Sequence, residues 1–180
     1  MKDTTKPEPT WRDVKTKLEG YDRAGLLKLL KDLYELNAAN HAFLNARLSL
    51  GAAQLTPYKN TISRWIAPDV TKGQDISVVK AKRAISDYKK AVGHPTGVAE
   101  LSVFYCEEAV GLLSWCGMDD ESYHAALVRM FDQALTAICG LPETERAPFL
   151  ERLNPLRSKA GQFAWGVKDA FDESWFTVVE

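Results

Sequence analysis

The feature that most constrains this chain is a helical periodicity over residues 76–92. Apolar side chains recur there at alternating spacings of three and four, at Val78, Ala81, Ile85, Tyr88 and Val92. This spacing places them on one face of an α-helix, so the pattern predicts a helix with a single buried seam.

Similar apolar faces recur along most of the chain. Glycine follows many of them, as helix ends favour, and no convincing alternating run or Asn-Gly or Asp-Gly hairpin signal occurs. The sequence therefore predicts an all-α fold of six to nine helices, arranged as a helical bundle or a short stack of helical hairpins. The predicted helical segments are 11–19, 22–36, 42–50, 56–68, 76–92, 96–117, 119–140, 142–153 and a last helix from 156.

Several boundaries follow from local chemistry. Asp22 and Thr96 are predicted N-caps, because a short polar side chain can accept a hydrogen bond from a free backbone N–H. Asn154-Pro155 predicts a break between the last two helices, because proline disrupts a helix interior. In the final segment, FDESWFTVVE, we expect Trp175 and Phe176 to meet a partner surface, either in the same molecule or in another.

The length of 180 residues suits one domain. Residues 1–10 are polar and proline-containing, which predicts a disordered tail. Residues 11–180 are predicted to form a single all-helical domain, with a possible soft break at the polar loop 69–75.

Charge is unevenly distributed although the net charge is only -1. Residues 1–92 hold 17 Lys and Arg against 10 Asp and Glu, whereas residues 93–180 hold 6 against 14. This asymmetry indicates either an end that faces a polyanion or two halves that attract each other.

One basic face is the sharpest functional signal. Lys80, Arg83 and Lys90 share a face of the helix predicted at 76–92, and Lys72 precedes it. Several phosphate contacts of this kind would favour nucleic-acid binding. The alternative is a solvated helix face, which the near-zero net charge favours.

Motifs of known chemistry are missing from the sequence. The glycines do not form a phosphate-binding loop, and the GxSxG pattern of a serine nucleophile does not occur. Cys106, Cys116 and Cys139 are widely spaced, and we expect buried free thiols. No catalytic residue and no cofactor is therefore assigned, and an enzyme is the less favoured interpretation.

A weak metal signal remains. Glu121 and His124 form an ExxH pair on one helix face, and Glu107 or Glu108 on the preceding helix could add a carboxylate. Carboxylate-bridged metal bundles use two such pairs, and the second is missing here. A surface Glu and His in a first helical turn is the simpler interpretation.

One stretch carries a resemblance. In LLKLLKDLYELNAANHAFLNARL, residues 26–48, the characteristic positions are Leu33, Tyr34, Asn40, Phe43, Leu44, Ala46 and Arg47. The stretch resembles the opening of an uncharacterised family of small helical bacterial proteins of unknown function. The resemblance implies a cytoplasmic bacterial or mobile-element protein and assigns no activity.

Together these patterns predict a non-enzymatic interaction module that binds another macromolecule through its helix faces. The partner is expected to be another protein or a second copy, with nucleic-acid binding as the alternative and a metal-dependent enzyme as the second alternative. No apolar run has the length of a membrane span, and the polar start lacks the hydrophobic core of a secretory signal, so we expect a cytoplasmic protein without membrane contact.

Overall fold

The computed structural model describes residues 8–48 and 55–179, and it confirms the all-α prediction. Within those residues the chain forms nine α-helices, two short 3-10 turns and no strand. The helices are α1 (Trp11–Leu18), α2 (Arg23–Leu36), α3 (Ala38–Arg47), α4 (Thr56–Ile66), α5 (Val78–Ala91), α6 (Pro95–Cys116), α7 (Glu121–Cys139), α8 (Glu143–Lys159) and α9 (Val167–Val178).

The described residues group into two compact units, divided between Leu44 and Asn45. The first unit holds α1, α2 and most of α3, and neither α1 nor α2 contains a buried residue. Asn37 alone separates α2 from α3: it ends α2 in an extended conformation, and its side-chain oxygen accepts the backbone N–H of Asn40. The predicted tail 1–10 lies mostly outside the described residues.

The second unit is a bundle centred on α6. This helix has 22 residues, is apolar around most of its circumference, and packs against α4, α5, α7 and α8. A helix that is hydrophobic all round is typically buried. Its buried side chains include Leu101, Tyr105 and Cys106. The segment predicted as a soft break, 69–75, lies within this unit and contains the 3-10 turn Val70–Lys72.

Of the two predicted N-caps, one is confirmed and the other is wrong. Asp22 caps α2 by accepting the N–H of Gly25 at 2.7 Å. Thr96 does not cap α6, because the helix begins one residue earlier, at Pro95, and the Thr96 hydroxyl instead donates to Glu145. Proline suits this first position, since its missing N–H would have no helical partner there.

A close approach between α5 and α6 depends on Gly97. A Cβ added at this position would lie 1.9 Å from the Tyr88 hydroxyl oxygen. The Tyr88 ring is itself buried and packs edge-to-face on Tyr58, with 5.3 Å between the ring centroids. Glycine is therefore required for this packing.

The predicted break at Asn154-Pro155 is wrong. Helix α8 continues through Pro148 and Pro155 to Lys159, and the last helix begins only at Val167. Leu153 and Leu156 are buried on either side of Pro155. The continuous helix buries both leucines in the core, and this burial offsets the hydrogen bond that proline cannot make.

Trp175 packs against a surface of the same molecule, which is one of the two predicted alternatives, whereas Phe176 is exposed. The indole of Trp175 is 7% exposed, and the Arg157 guanidinium lies 4.7 Å from its ring centroid. Asp172 holds this arginine through an ion pair at 2.9 Å.

Among the residues that the structure describes, no helix combines the length and apolarity that a membrane crossing requires.

Candidate binding groove

A cavity of about 880 Å³ opens between α5 and α7, with the first turns of α6 as its floor. We call it the basic groove. Its lining comprises Val79, Lys82, Arg83, Ile85, Ser86, Lys89, Gly93, Pro95, Val98, Ser102, Met130, Gln133, Thr136, Ala137 and Gly140. This volume is in the range of pockets that bind ligands.

Helix α5 presents one face to the core and a different face to the groove. Its buried face, which includes Ala81, Ala84 and Tyr88, faces the core. Lys82, Ser86 and Lys89 follow spacings of four and three and form a stripe on a different face. This stripe forms one wall of the groove.

The positive charge of the groove comes from one side only. Lys82, Arg83 and Lys89 all belong to α5, whereas the α6 floor and the α7 wall contribute uncharged side chains. None of the described residues that line the groove is Asp or Glu. Arg83 has a distant ion pair with Asp87, at 3.8 Å, and both side chains are mostly solvent-exposed. Such exposed pairs stabilise little.

Two hydroxyl groups in the lining are already hydrogen-bonded within their own helices. Ser102 donates to the Val98 carbonyl at 2.9 Å, and Thr136 donates to the Asp132 carbonyl at 2.9 Å. These bonds leave the floor and the α7 wall suited to apolar contact. The groove therefore combines apolar surface with cationic side chains along one edge.

The four residues predicted to bind nucleic acid lie in different local settings. Arg83 lines the groove, whereas Lys72 forms an ion pair with Asp69 at 2.8 Å. The hydrogen bond to Asp69 raises the pKa of Lys72 above its usual value. Lys80 lies 3.7 Å from the ring centroid of Trp65, and Lys90 is exposed outside the groove.

Aromatic rings near this face are engaged by other side chains. The Arg64 guanidinium lies 4.4 Å from the Trp65 centroid, so two cations contact that ring. Tyr88 is buried. Binding of single strands depends on aromatic rings that can stack against bases, and neither ring is freely available for that.

The weak metal candidates are separated into different contacts. Glu107 accepts two hydrogen bonds from the Arg152 guanidinium, at 2.8 and 2.7 Å, and the buried His124 ring has Nδ1 2.7 Å from the Asp120 carbonyl oxygen. Glu108 is half-buried; Glu121 is exposed as expected, whereas the expectation of a surface His124 is wrong. Within residues 8–48 and 55–179, no three His, Cys, Asp or Glu side chains converge as metal ligands would.

An ion-pair network that includes Arg152 connects α4, α6 and α8. Besides Glu107, Arg152 contacts Glu100 at 2.5 Å, and Lys59 of α4 contacts the other Glu100 oxygen at 2.5 Å. Burial, the largest influence on Glu100, raises its pKa, but the hydrogen bonds from Arg152 and Lys59 bring the pKa below its usual 4.5. This network stabilises the bundle on the side of α4 and α8.

The cysteines are free thiols in different settings. Cys106 is buried, and burial raises the pKa of its thiol, with Glu107 adding to the effect. The expectation of burial is wrong for Cys116, which is exposed at the end of α6, and Cys139 is half-buried. A raised pKa keeps Cys106 protonated and unreactive.

Sequence reasoning missed the groove because it arises from the spacing between α5 and α7. A signal for its basic edge was present in Lys82, Ser86 and Lys89, which lie beside the stripe of Lys80, Arg83 and Lys90. Nothing in the sequence marked Gln133 or Ala137 as part of a site.

Comparisons with known protein families, with curated proteins and with solved structures found no match to this chain.

Proposed function

We propose that this protein is a non-enzymatic interaction module that binds another protein by accepting one of its helices in the basic groove. The observation that carries the proposal is the groove itself: an apolar floor and wall beside three cations of α5. Helices of partner proteins commonly bind in apolar grooves of this kind.

The length of the groove supports a helix as the occupant. Its lining runs along α5 and beyond its end, from Val79 to Gly93, which corresponds to about 20 Å of helix. The groove is partly open to solvent, whereas a small-molecule pocket usually encloses most of its ligand.

Nucleic-acid binding through Lys72, Lys80, Arg83 and Lys90 is the runner-up. Lys72 is bound to Asp69, and Lys80 lies over Trp65. Phosphate binding would have to compete with these contacts, so the affinity gained from counterion release would be smaller than the number of cations suggests.

We also propose a cytoplasmic location, which the free thiols support, because a reducing compartment keeps cysteines unpaired.

The proposal is tested with a labelled helical peptide of about 18 residues, roughly 27 Å long, with leucines along one face and glutamines elsewhere. Fluorescence polarisation measures its binding to the full chain. Ala137→Phe places a large ring in the groove, and Ala125→Phe, on the same helix but outside the groove, is the matched control; circular dichroism verifies that both variants fold.

We expect Ala137→Phe to weaken binding at least tenfold and Ala125→Phe to leave it unchanged. Equal loss in both variants, or no binding of the peptide to the native chain, contradicts the proposal. A labelled single-stranded RNA serves as the competing probe. RNA binding that falls steeply with salt but ignores Ala137→Phe would favour the runner-up.

A further inference from the structure

The geometry points to a more specific occupant: a partner helix with apolar residues on one face and two carboxylates, seven residues apart, along the edge that meets α5. This inference rests on the proposed function, because it specifies the partner of the same groove.

The first step is the asymmetry of charge across the groove. All three lining cations are on α5, and the lining residues of α6 and α7, such as Val98, Met130 and Ala137, carry no charge. An occupant that complements both sides needs negative charge on one edge and apolar groups on the other. Charge complementarity of this kind sets the register and orientation of a bound helix.

The second step is the absence of an internal acid that could neutralise these cations inside the groove. The described lining residues include no Asp or Glu, and the Asp87 carboxylate contacts Arg83 from outside the groove at 3.8 Å. A partner without acids would desolvate part of the Lys82 side chain, which is already half-buried, without providing a counter-charge.

The third step is the spacing of the cations. Lys82 and Lys89 are seven residues apart on one helix, which corresponds to two turns and about 10 Å. A partner helix lying along α5 presents carboxylates at the same separation when its acids are seven residues apart. Acids three residues apart span only about 5 Å and can match only one of the two lysines.

The experiment compares three labelled peptides with the same apolar face. The first has glutamines at the two edge positions, the second has glutamates there, seven residues apart, and the third has its two glutamates on the face opposite the leucines. We expect the second peptide to bind about tenfold more tightly than the other two, with the advantage falling as salt is raised.

A pair of double variants locates the effect. Lys82→Glu with Lys89→Glu reverses the groove edge, and we expect it to reject the second peptide and to prefer one with lysines at the two edge positions. Lys80→Glu with Lys90→Glu changes the net charge of the same helix equally but outside the groove lining. This control should retain at least half of the preference for glutamate.

The possible failures are distinguishable. If none of the peptides binds, including the glutamine peptide, the proposed function fails. If the glutamine peptide binds and is blocked by Ala137→Phe, but glutamates add nothing, only the acidic-helix inference is overturned. If the two double variants lose the preference equally, the recognition is general attraction to a basic helix, and the inference is likewise overturned.

Discussion

Two of the buried tyrosines of the second unit, Tyr105 and Tyr123, allow a stability argument to be tested with a matched pair of single-atom deletions. The Tyr123 hydroxyl donates to the Ile66 carbonyl at 2.7 Å, at the end of α4, where a helix leaves its last carbonyls without internal partners. The Tyr105 hydroxyl is equally buried, but among the described residues it has no hydrogen-bond partner. Burial raises the pKa of both tyrosines, so both hydroxyls remain protonated at neutral pH.

We expect Tyr123→Phe to lower the free energy of unfolding by about 1–2 kcal/mol, because it removes a hydrogen bond and leaves a buried carbonyl unsatisfied. For a chain of this size that corresponds to about 2–8 °C in Tm. Tyr105→Phe should be neutral or stabilising by up to about 1 kcal/mol, because the hydroxyl it removes is buried without compensation.

Urea unfolding monitored by circular dichroism measures both variants, and an unchanged slope against urea shows that the unfolded state is comparable. The reasoning is refuted if Tyr105→Phe costs as much as Tyr123→Phe, since the two hydroxyls would then have equivalent partners. It is also refuted if Tyr123→Phe has no effect.

Three further predictions follow from other features of the second unit. The lowered pKa of Glu100 means that its stabilising contribution is present above its usual pKa of 4.5 and is lost as pH falls through the lower folded value. In urea midpoints measured from pH 7 to 3, Glu100→Gln should therefore show a shallower acid decline, and an unchanged decline would contradict this. Gly97→Ala should lower the free energy of unfolding by about 1–3 kcal/mol, because the added methyl group would overlap the buried Tyr88. Gly111→Ala, on the same helix with open space around its Cβ, should raise it by about 0.5–1 kcal/mol. Thermal melts of the two variants test the difference, and equal effects would disprove it. Cys116 should react with a thiol reagent in the native protein, and Cys106 only after unfolding. Mass spectrometry of the labelled chain distinguishes the two sites, and labelling of Cys106 in the native protein would be inconsistent with its burial.

The sequence predicted fold class and most helices because both depend on local periodicity and capping. The α5 seam and the Asp22 cap illustrate this: each is determined by residues within one or two turns. Where long-range packing competes with a local preference, the prediction fails. Pro155 was expected to end a helix, but burial of Leu153 and Leu156 carries α8 through it.

The candidate site was less predictable for the same reason. Its basic edge is visible in the spacing of Lys82 and Lys89, but the opposite wall comes from α7, some forty residues further along the chain. The distance between two helices depends on the side chains that separate them, and this cannot be derived from the periodicity of either helix. Which surface would cover Trp175 was likewise not visible in its own helix, because Arg157 belongs to another helix.

The position of Arg152 has a consequence for the order in which the protein matures on the ribosome. The guanidinium that pairs with Glu107 and Glu100 is encoded 45 and 52 residues after them. While α6 is being synthesised, Lys59 is the only member of this network already available to Glu100. The nascent bundle can therefore complete this network only when translation has passed through α8, so a chain terminated after α7 would lack the guanidinium that pairs with Glu100 and Glu107.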